Sequence, residues 1–182
     1  MQILNQNLEF EQLSSDFSNA FSGLKADKVL LRLRTSLFRF SGGTHISPRW
    51  SETTQLPYLL LSAKQRGQRL DQYIRATNAV LRSWDPGMYN LIIAKLNIDV
   101  YAFRGTSSFQ NEAFKYMNPQ DIDNYKKKFT KPVFYQGGNS QVFINNIKDQ
   151  DINIIVPGGA INIYDEVDDI INFLIDNYYS IF

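Results

Sequence analysis

A period-two alternation of apolar and polar residues from Lys28 to Phe40 constrains the fold more than any other feature of the sequence. The stretch reads KVLLRLRTSLFRF, and its two alternating sets are Leu31, Leu33 and Thr35 on one side and Arg32, Arg34 and Ser36 on the other. Successive side chains of a β-strand point to opposite faces, so this pattern predicts a strand. The chain must therefore build a sheet, with arginines on one face of this strand.

Apolar residues at three- and four-residue spacing predict helices near the beginning, in the middle and at the end of the chain. Residues 8–24 predict an amphipathic helix within a helical lead-in of residues 1–26. Residues 58–84 predict the longest helical stretch, interrupted near Gly67, with Pro57 where a first helical turn tolerates proline. Residues 165–182 begin with acidic side chains, which a helix N-terminus favours, and predict a C-terminal helix.

Further strands are predicted in separated groups rather than in strict alternation with helices. They lie in residues 89–105, in residues 132–147, and on both sides of a Pro157–Gly159 turn within residues 152–164. A doubly wound parallel sheet requires strands and helices to alternate. The sequence instead predicts an α+β fold, and its 182 residues suit one domain, residues 1–182, with a single core.

Composition removes several classes of function. Nineteen basic and eighteen acidic residues give a formal charge of +1, which does not favour nucleic acid or an acidic membrane surface. The chain has no cysteine and one histidine, so thiolate and multi-histidine metal sites are excluded. No apolar run is long enough to span a bilayer, and the phosphate-loop and Gly-x-Gly-x-x-Gly motifs are absent. We therefore expect no metal, no membrane insertion and no nucleic-acid partner.

One predicted strand begins with unusually polar residues. It reads GGNSQVFI from Gly137, so two glycines and then Asn139, Ser140 and Gln141 precede the apolar run. Glycine allows a backbone to approach a ligand closely, and polar groups at the head of a buried strand need partners. The pattern favours a strand whose head faces a ligand, although Gly-Gly-Asn is also an ordinary hairpin signal.

The order of these elements resembles the ADP-ribosyltransferase fold of the cholera and pertussis toxin catalytic subunits. VLLRLR is similar to the family's first strand, which ends in an arginine, here Arg32 or Arg34. GTHISP is similar to the lead into its second strand, with Ser47 as the closest serine. GGNSQVFI places Asn139 and Gln141 where arginine-modifying members carry Glu-x-Glu.

Glutamine after a glycine-rich lead looks like the tuberculosis necrotizing toxin family, a group of NAD glycohydrolases. The resemblance implies split mixed or antiparallel sheets with flanking helices. It also implies a bacterial toxin or effector that hydrolyses NAD or transfers ADP-ribose to a target. Such a protein is secreted or delivered into a target cell and acts in its cytosol. Its implied partners are NAD as substrate, a protein target in a host or competitor cell, and an immunity protein.

The same resemblance implies which residues form the site. Arg32 and Gln141 are the implied catalytic pair, because an arginine fork suits a pyrophosphate and the carbonyl oxygen of a glutamine can accept a hydrogen bond from a ribose hydroxyl. The implied NAD-binding residues are Arg34, His45, Ser47, Gly138 and Asn139.

Several alternatives stay open in the sequence. Arg104 lies in a similar apolar-Arg-Gly context, and Asp151 and Asn153 offer a second register for the Glu-x-Glu strand. His45 and Ser47 could simply form a turn before a proline. Because both glutamates are missing, a non-catalytic protein-binding effector or immunity module with a degenerate nucleotide site is the alternative function.

Overall fold

The computed structural model describes residues 3–81, 85, 87–88, 90–111, 119–120, 123, 127, 134–163 and 167–182. Its helices are α1 (Ser15–Ser18), α2 (Leu56–Gln65), α3 (Leu70–Asn78), α4 (Val167–Asp176) and α5 (Tyr178–Ile181). Its strands are β1 (Asp27–Leu31), β2 (Ser36–Ser41), β3 (Arg49–Glu52), β4 (Asn90–Leu96), β5 (Val100–Thr106), β6 (Gln110–Asn111), β7 (Phe134–Tyr135), β8 (Ser140–Phe143), β9 (Ile152–Ile154) and β10 (Ile161–Asn162). The predicted α+β class is confirmed.

Eight of these strands form one antiparallel sheet in the described part of the chain. Its order is β1–β5–β8–β3–β2–β4–β10, and β9 also pairs with β4. The four-residue strand β3 uses Arg49 and Trp50 to pair with β8, and Ser51 and Glu52 to pair with β2. The sheet is therefore split into two halves that β3 joins.

Strand β4 explains why NLIIAKL shows no simple alternation. Leu91 and Ile93 pack into the cluster beneath helices α2, α3 and α4, whereas Ile92 and Ala94 pack into a second cluster with Trp50. All four of these β4 side chains are fully buried. A strand covered on both faces needs apolar residues at every position, so the period of two disappears.

The prediction of one strand from Lys28 to Phe40 is wrong in one respect, because the structure has two strands there, separated by a turn. Strand β1 ends at Leu31 and β2 begins at Ser36. Arg34 has a positive φ of 69°, and the Leu33 N–H donates to Asp99 Oδ1 at 2.6 Å. The alternating sequence continues through the turn, but Leu33 is 53% exposed instead of buried.

The central helical stretch divides where the sequence predicts. Gly67, with φ of 60°, separates α2 from α3, and Pro57 lies in the first turn of α2. The prediction that the helix continues to Trp84 is wrong, because α3 ends at Asn78 and Ala79 has a positive φ of 52°. Trp84 itself and the acidic pair Asp165 and Glu166 lie outside the described residues. At the C-terminus, α4 packs against α2, and Lys64 pairs with Asp168 between them.

The N-terminal segment contains one four-residue α-helix and two short 3-10 turns in place of the predicted helix over residues 8–24. Its apolar side chains are still used, since Phe10 and Phe17 pack beside the buried Phe103 and Phe143. Its backbone bonds to a distant part of the chain, since the Ser108 N–H donates to the Ala20 carbonyl at 2.9 Å. Tertiary hydrogen bonds thus replace helical ones after α1.

The glycine that opens the polar strand head is packed against protein backbone. Gly137 has a φ of 72°, and a Cβ there would lie 2.5 Å from the Ser107 carbonyl oxygen. The Gly137 N–H donates to the Ala76 carbonyl at 2.9 Å, and the Gly138 N–H donates to the Ser107 carbonyl at 3.0 Å. These two glycines, expected to approach a ligand, therefore dock the head of β8 onto α3 and onto the residue that follows β5.

This packing predicts that Gly137→Ala destabilises the fold more than Gly158→Ala. Both glycines have the same φ within 1°, so both variants carry a similar left-handed penalty. Only at Gly137 does the added methyl group meet backbone, since nothing lies within 4 Å of a Cβ at Gly158. We expect a difference of about 2 kcal/mol in the free energy of unfolding, measured by urea titration. Equal losses would contradict this account of Gly137.

Candidate functional site

A cleft of about 710 Å³ lies where β3 passes between the two halves of the sheet. Side chains from β2, from β3 and from the loop between them line it, together with α1, the end of α3 and the head of β8. This volume falls within the range of small-molecule and cofactor sites. The two sheet halves thus create a concave surface at the point where one short strand joins them.

Arg39, on β2, is a basic residue of this cleft whose guanidinium is held by three contacts. Its guanidinium donates to Ser41 Oγ at 2.8 Å and to the His45 carbonyl at 3.2 Å. It also lies 5.8 Å from the centre of the Trp50 ring, within the range of a cation–π contact. The planar guanidinium of Arg39 is therefore held by one residue of β2, one residue of the following loop and one residue of β3.

The charge of Arg39 is only partly compensated. Burial lowers the pKa of its guanidinium, and Asp85 acts in the opposite direction. An arginine stays charged at neutral pH even so. Among the residues that the structure describes, no carboxylate lies within ion-pair distance of Arg39. A cation that is desolvated and bonded only to neutral oxygens is a suitable binding group for an anion.

Asp85 is the acidic group that faces Arg39 in this cleft, and it is held by the loop after β2. Its two carboxylate oxygens accept the Gly42 N–H at 3.1 and 3.0 Å. A Cβ at Gly42 would lie 2.2 Å from the Gly87 carbonyl oxygen, so only glycine fits here. The Gly-Gly pair after β2 therefore allows a close backbone approach that fixes Asp85.

Gln141 also lines the cleft, and one end of its amide is already bound. Its Nε2 donates to the Ala20 carbonyl at 2.6 Å. A carbonyl can only accept a hydrogen bond, so this contact determines that the nitrogen of Gln141 faces Ala20. The carbonyl oxygen of Gln141 is then the end available to a ligand.

Three of the five predicted NAD-binding residues, His45, Ser47 and Asn139, line the same cleft, whereas Gly138 is outside its described lining. The Ser47 carbonyl accepts the Trp50 Nε1–H at 2.6 Å, so this residue also holds the loop in place. The Asn139 amide donates to Asn78 Oδ1 at 2.6 Å, which ties the head of β8 to α3.

The structure places Arg32 and Arg34 in the β1–β2 turn, outside the cleft lining. Arg32 Nη1 donates to Asp99 Oδ2 at 3.0 Å, and its side chain is 71% exposed. The Leu33 N–H and then the Arg32 guanidinium lower the pKa of the Asp99 carboxyl. Arg32 therefore contributes to the turn, and the structure does not bring it together with Gln141.

The alternative arginine, Arg104, and the alternative register at Asp151 and Asn153 also lie outside the cleft lining. Arg104 Nη2 donates to Glu52 Oε1 at 2.8 Å, which joins β5 to β3. Asp151 accepts the Lys148 N–H at 3.0 Å in the turn before β9, and Asn153 is exposed on β9. Of the catalytic positions considered from the sequence, Gln141 is the one that shares the cleft with an arginine.

Sequence reasoning missed both arginines of the cleft, Arg39 and Arg49. The guanidinium of Arg49 lies 6.0 Å from the Phe17 ring centre, and its Nη2 donates to the Asp16 carbonyl at 3.3 Å. A signal existed for Arg39, because it immediately precedes the Phe-Ser-Gly-Gly that ends its strand. Nothing in the sequence signals that α1 brings Asp16 and Phe17 to the same site.

Two negative findings apply to the described residues only. No three side chains of His, Cys, Asp or Glu among them converge closely enough to bind a metal ion. None of the helices in the described ranges has the length and apolar character that a bilayer crossing requires.

Comparisons with known proteins give remote structural similarity only. No protein-family profile matches the chain, and no curated protein sequence matches it. The chain is similar to a solved structure of Rhs1-CT in complex with its cognate immunity protein RhsI1. The identity is 15%, the match covers 72% of this chain and 77% of that one, and the TM-score is 0.46. It is also similar to Tne2 in complex with Tni2, at 10% identity, 72% and 88% coverage, and a TM-score of 0.40. Similarity at this level assigns no function to the chain.

The electrostatics of Arg39 predict that Arg39→Met leaves the fold intact. Removing a desolvated charge that lacks an ion-pair partner among the described residues offsets the loss of its two hydrogen bonds. The buried Ser41 Oγ still accepts the Gly43 N–H at 3.3 Å, and His45 is exposed. We expect the free energy of unfolding, measured by urea titration, to change by less than about 1 kcal/mol. A loss above about 3 kcal/mol would show instead that Arg39 is a structural residue.

Proposed function

We propose that this chain is an NAD-consuming toxin or effector domain of the ADP-ribosyltransferase fold. In this proposal it cleaves the bond between nicotinamide and ribose, either hydrolysing NAD or transferring ADP-ribose to a target. The observation that carries the proposal is the desolvated Arg39 guanidinium, which lies beside Trp50 without an ion-pair partner among the described residues.

Arg39 supports a dinucleotide because its fork suits the pyrophosphate. A guanidinium can give two parallel N–H bonds to phosphate oxygens, and such bonds strengthen where water is excluded. The half-buried Phe17 lines the same cleft and offers apolar surface to a base or a nicotinamide ring, while the buried Phe40 and Trp50 form part of the cleft wall. A charged fork beside aromatic faces matches a ligand that combines phosphates with flat rings.

Gln141 supports ribose recognition. With its nitrogen bound to Ala20, its carbonyl oxygen can accept a hydrogen bond from a ribose hydroxyl. The C1′–N bond breaks with its electrons going to nicotinamide, which leaves as a neutral ring, and positive charge develops on the ribose. An oxygen dipole fixed near that charge stabilises it more in the transition state than in the ground state.

Hydrolysis then needs only water as the second reactant. Its oxygen bonds to C1′ as nicotinamide departs, and one proton is released, so that NAD⁺ and water give ADP-ribose, nicotinamide and H⁺. In transfer, a nucleophilic side chain of a target protein replaces the water. In both cases the cleft residues bind and orient the substrate and limit the access of water, and the proposal assigns no step to a metal.

The proposed partners follow from this activity. They are NAD as substrate, a protein target in a host or competitor cell if ADP-ribose is transferred, and an immunity protein that protects the producing cell. The proposed place of action is the cytosol of the target cell, where NAD is available, after secretion or delivery.

One observation favours a second candidate, a non-catalytic module that binds protein through this cleft. The acidic groups of the described cleft lining are Asp16 and Asp85, and both oxygens of Asp85 already accept the Gly42 N–H. A carboxylate free to stabilise a cationic transition state would strengthen the enzymatic proposal, and Gln141 supplies a neutral oxygen instead.

The proposal predicts nicotinamide release from NAD by the purified protein, with Arg39 essential. Arg39→Gln removes the fork, and we expect a loss of at least about 100-fold in kcat/KM. Arg32→Gln is the matched control, because it removes the same side-chain chemistry at a turn outside the cleft, and it should retain activity.

Nicotinamide is measured by chromatography, with urea titration showing that each variant is folded. Equal losses in both variants would contradict the assignment of Arg39. Absence of nicotinamide release with saturable NAD binding would favour a transferase that needs its target. Absence of NAD binding by calorimetry would sink the enzymatic proposal and favour the binding module.

A further inference from the structure

We propose that the main-chain carbonyl of Ala20 is a positioning group for the cleft, and that it makes the position of Gln141 specific for an amide over a carboxylate. This inference rests on the proposed function for its catalytic consequence, but its structural part can be tested without NAD. The carbonyl lies in the segment that precedes β1.

The Ala20 carbonyl is itself held in place. It accepts the Ser108 N–H at 2.9 Å as well as the Gln141 Nε2–H at 2.6 Å. The preceding Asn19 carbonyl accepts the Ser108 hydroxyl at 2.6 Å. The next residue, Phe21, is 2% exposed and bridges to Ser107. The acceptor therefore belongs to a fixed strand-like crossing rather than to a mobile terminus.

Gly105 shows how closely this crossing is fitted to the sheet. It stands opposite Gln141 in the β5–β8 register, and a Cβ there would lie 2.7 Å from the Phe21 ring and 2.9 Å from the Lys25 carbonyl. The side chain of Gln141 therefore has the N-terminal crossing, and not a β5 side chain, as its neighbour. The missing side chain at Gly105 lets the segment that follows Ala20 lie directly against β5.

The Ala20 carbonyl oxygen lies 2.6 Å from Gln141 Nε2 and can only accept a hydrogen bond. The side chain at position 141 must therefore present a donor to it. Glutamine gives an N–H to Ala20 and keeps its oxygen for the cleft. An ionised glutamate presents only acceptors, so its oxygen would repel the Ala20 carbonyl. A protonated glutamate recovers the arrangement, because its O–H donates to Ala20 and its other oxygen faces the cleft.

The inference predicts two properties of the Gln141→Glu variant. In the ligand-free protein, the pKa of the introduced carboxyl should be raised by roughly one unit or more, because only its protonated form has the hydrogen bond to Ala20. The nicotinamide-releasing activity, relative to the unchanged protein at each pH, should be low at neutral pH and rise by about 10-fold or more as pH falls through that pKa.

The charged and titratable groups that face the cleft with Gln141 are Asp16, Arg39, His45, Arg49 and Asp85. The two arginines favour an ionised carboxylate, whereas the two aspartates and the Ala20 carbonyl oppose it. Expressing activity relative to the unchanged protein at the same pH removes every pH effect that the two proteins share. Because the Ala20 carbonyl is in direct hydrogen-bond contact with Gln141, at 2.6 Å, we expect its effect on the pKa to dominate.

The experiment measures the pKa of the carboxyl introduced by Gln141→Glu, by carbon NMR of the labelled side chain, beside that introduced by Gln65→Glu. Gln65 lies at the exposed end of α2, so a carboxyl there should titrate normally. A raised pKa in the Gln141→Glu variant alone supports the inference, even if NAD is not a substrate. A pKa equal to or below that of the Gln65→Glu control overturns it. Neutral-pH activity of Gln141→Glu equal to or above that of the unchanged protein also overturns it.

Gly105→Ala provides the second variant, because it displaces the crossing while leaving Gln141 unchanged. We expect a reduced kcat in Gly105→Ala. We also expect the double variant Gly105→Ala/Gln141→Ala to lose about as much kcat as Gln141→Ala alone. Independent, additive losses would overturn the inference. If neither the unchanged protein nor any variant releases nicotinamide, and none binds NAD, the proposed function fails, while the NMR measurement still decides the role of Ala20.

Discussion

The double pairing of β3 is the constraint on which the rest of the structure depends. Two of its residues bond to β8 and the next two bond to β2, so four residues carry the connection between the sheet halves. This change of partner does not interrupt the core, because the Trp50 side chain packs in a hydrophobic cluster to which both sheet halves contribute. A sheet that continued without this change of partner would leave no concave surface for Arg39 and Gln141 to line.

The cleft is consequently assembled from segments that are distant in the sequence. Arg39 comes from β2, Gln141 from β8, and the acceptor that orients Gln141 from residue 20, which is 121 residues away. Non-local contacts of this kind form only when the whole sheet is in place. In the proposed role, a chain delivered unfolded has no site until it folds in the target cell. Because the chain has no cysteine, this folding requires no disulfide formation.

The sequence predicts the elements of this fold better than it predicts the site. The division of the central helices at Gly67 and the two strands β4 and β5 follow from local punctuation and apolar runs. The turn at residues 32–35 does not, because the Asp99 carboxylate that holds the Leu33 N–H is 66 residues away. The alternation of Arg32 and Arg34 therefore continues through a bend that keeps both side chains out of the cleft. The cleft instead takes the next two arginines along the chain, Arg39 and Arg49.

The polar head of β8 shows how structural and binding roles can share the same residues. Gly137 fits against the Ser107 carbonyl and Asn139 binds Asn78, so two of the polar-strand features are used for packing. Gln141 differs because packing uses only its nitrogen. A side chain with one committed end loses little further conformational entropy when its other end meets a ligand, since its rotamer is already fixed. The internal hydrogen bond from Gln141 to Ala20 thus holds the carbonyl oxygen of Gln141 ready to accept a hydrogen bond from a ligand. A neutral amide needs this pre-organisation to compete with water.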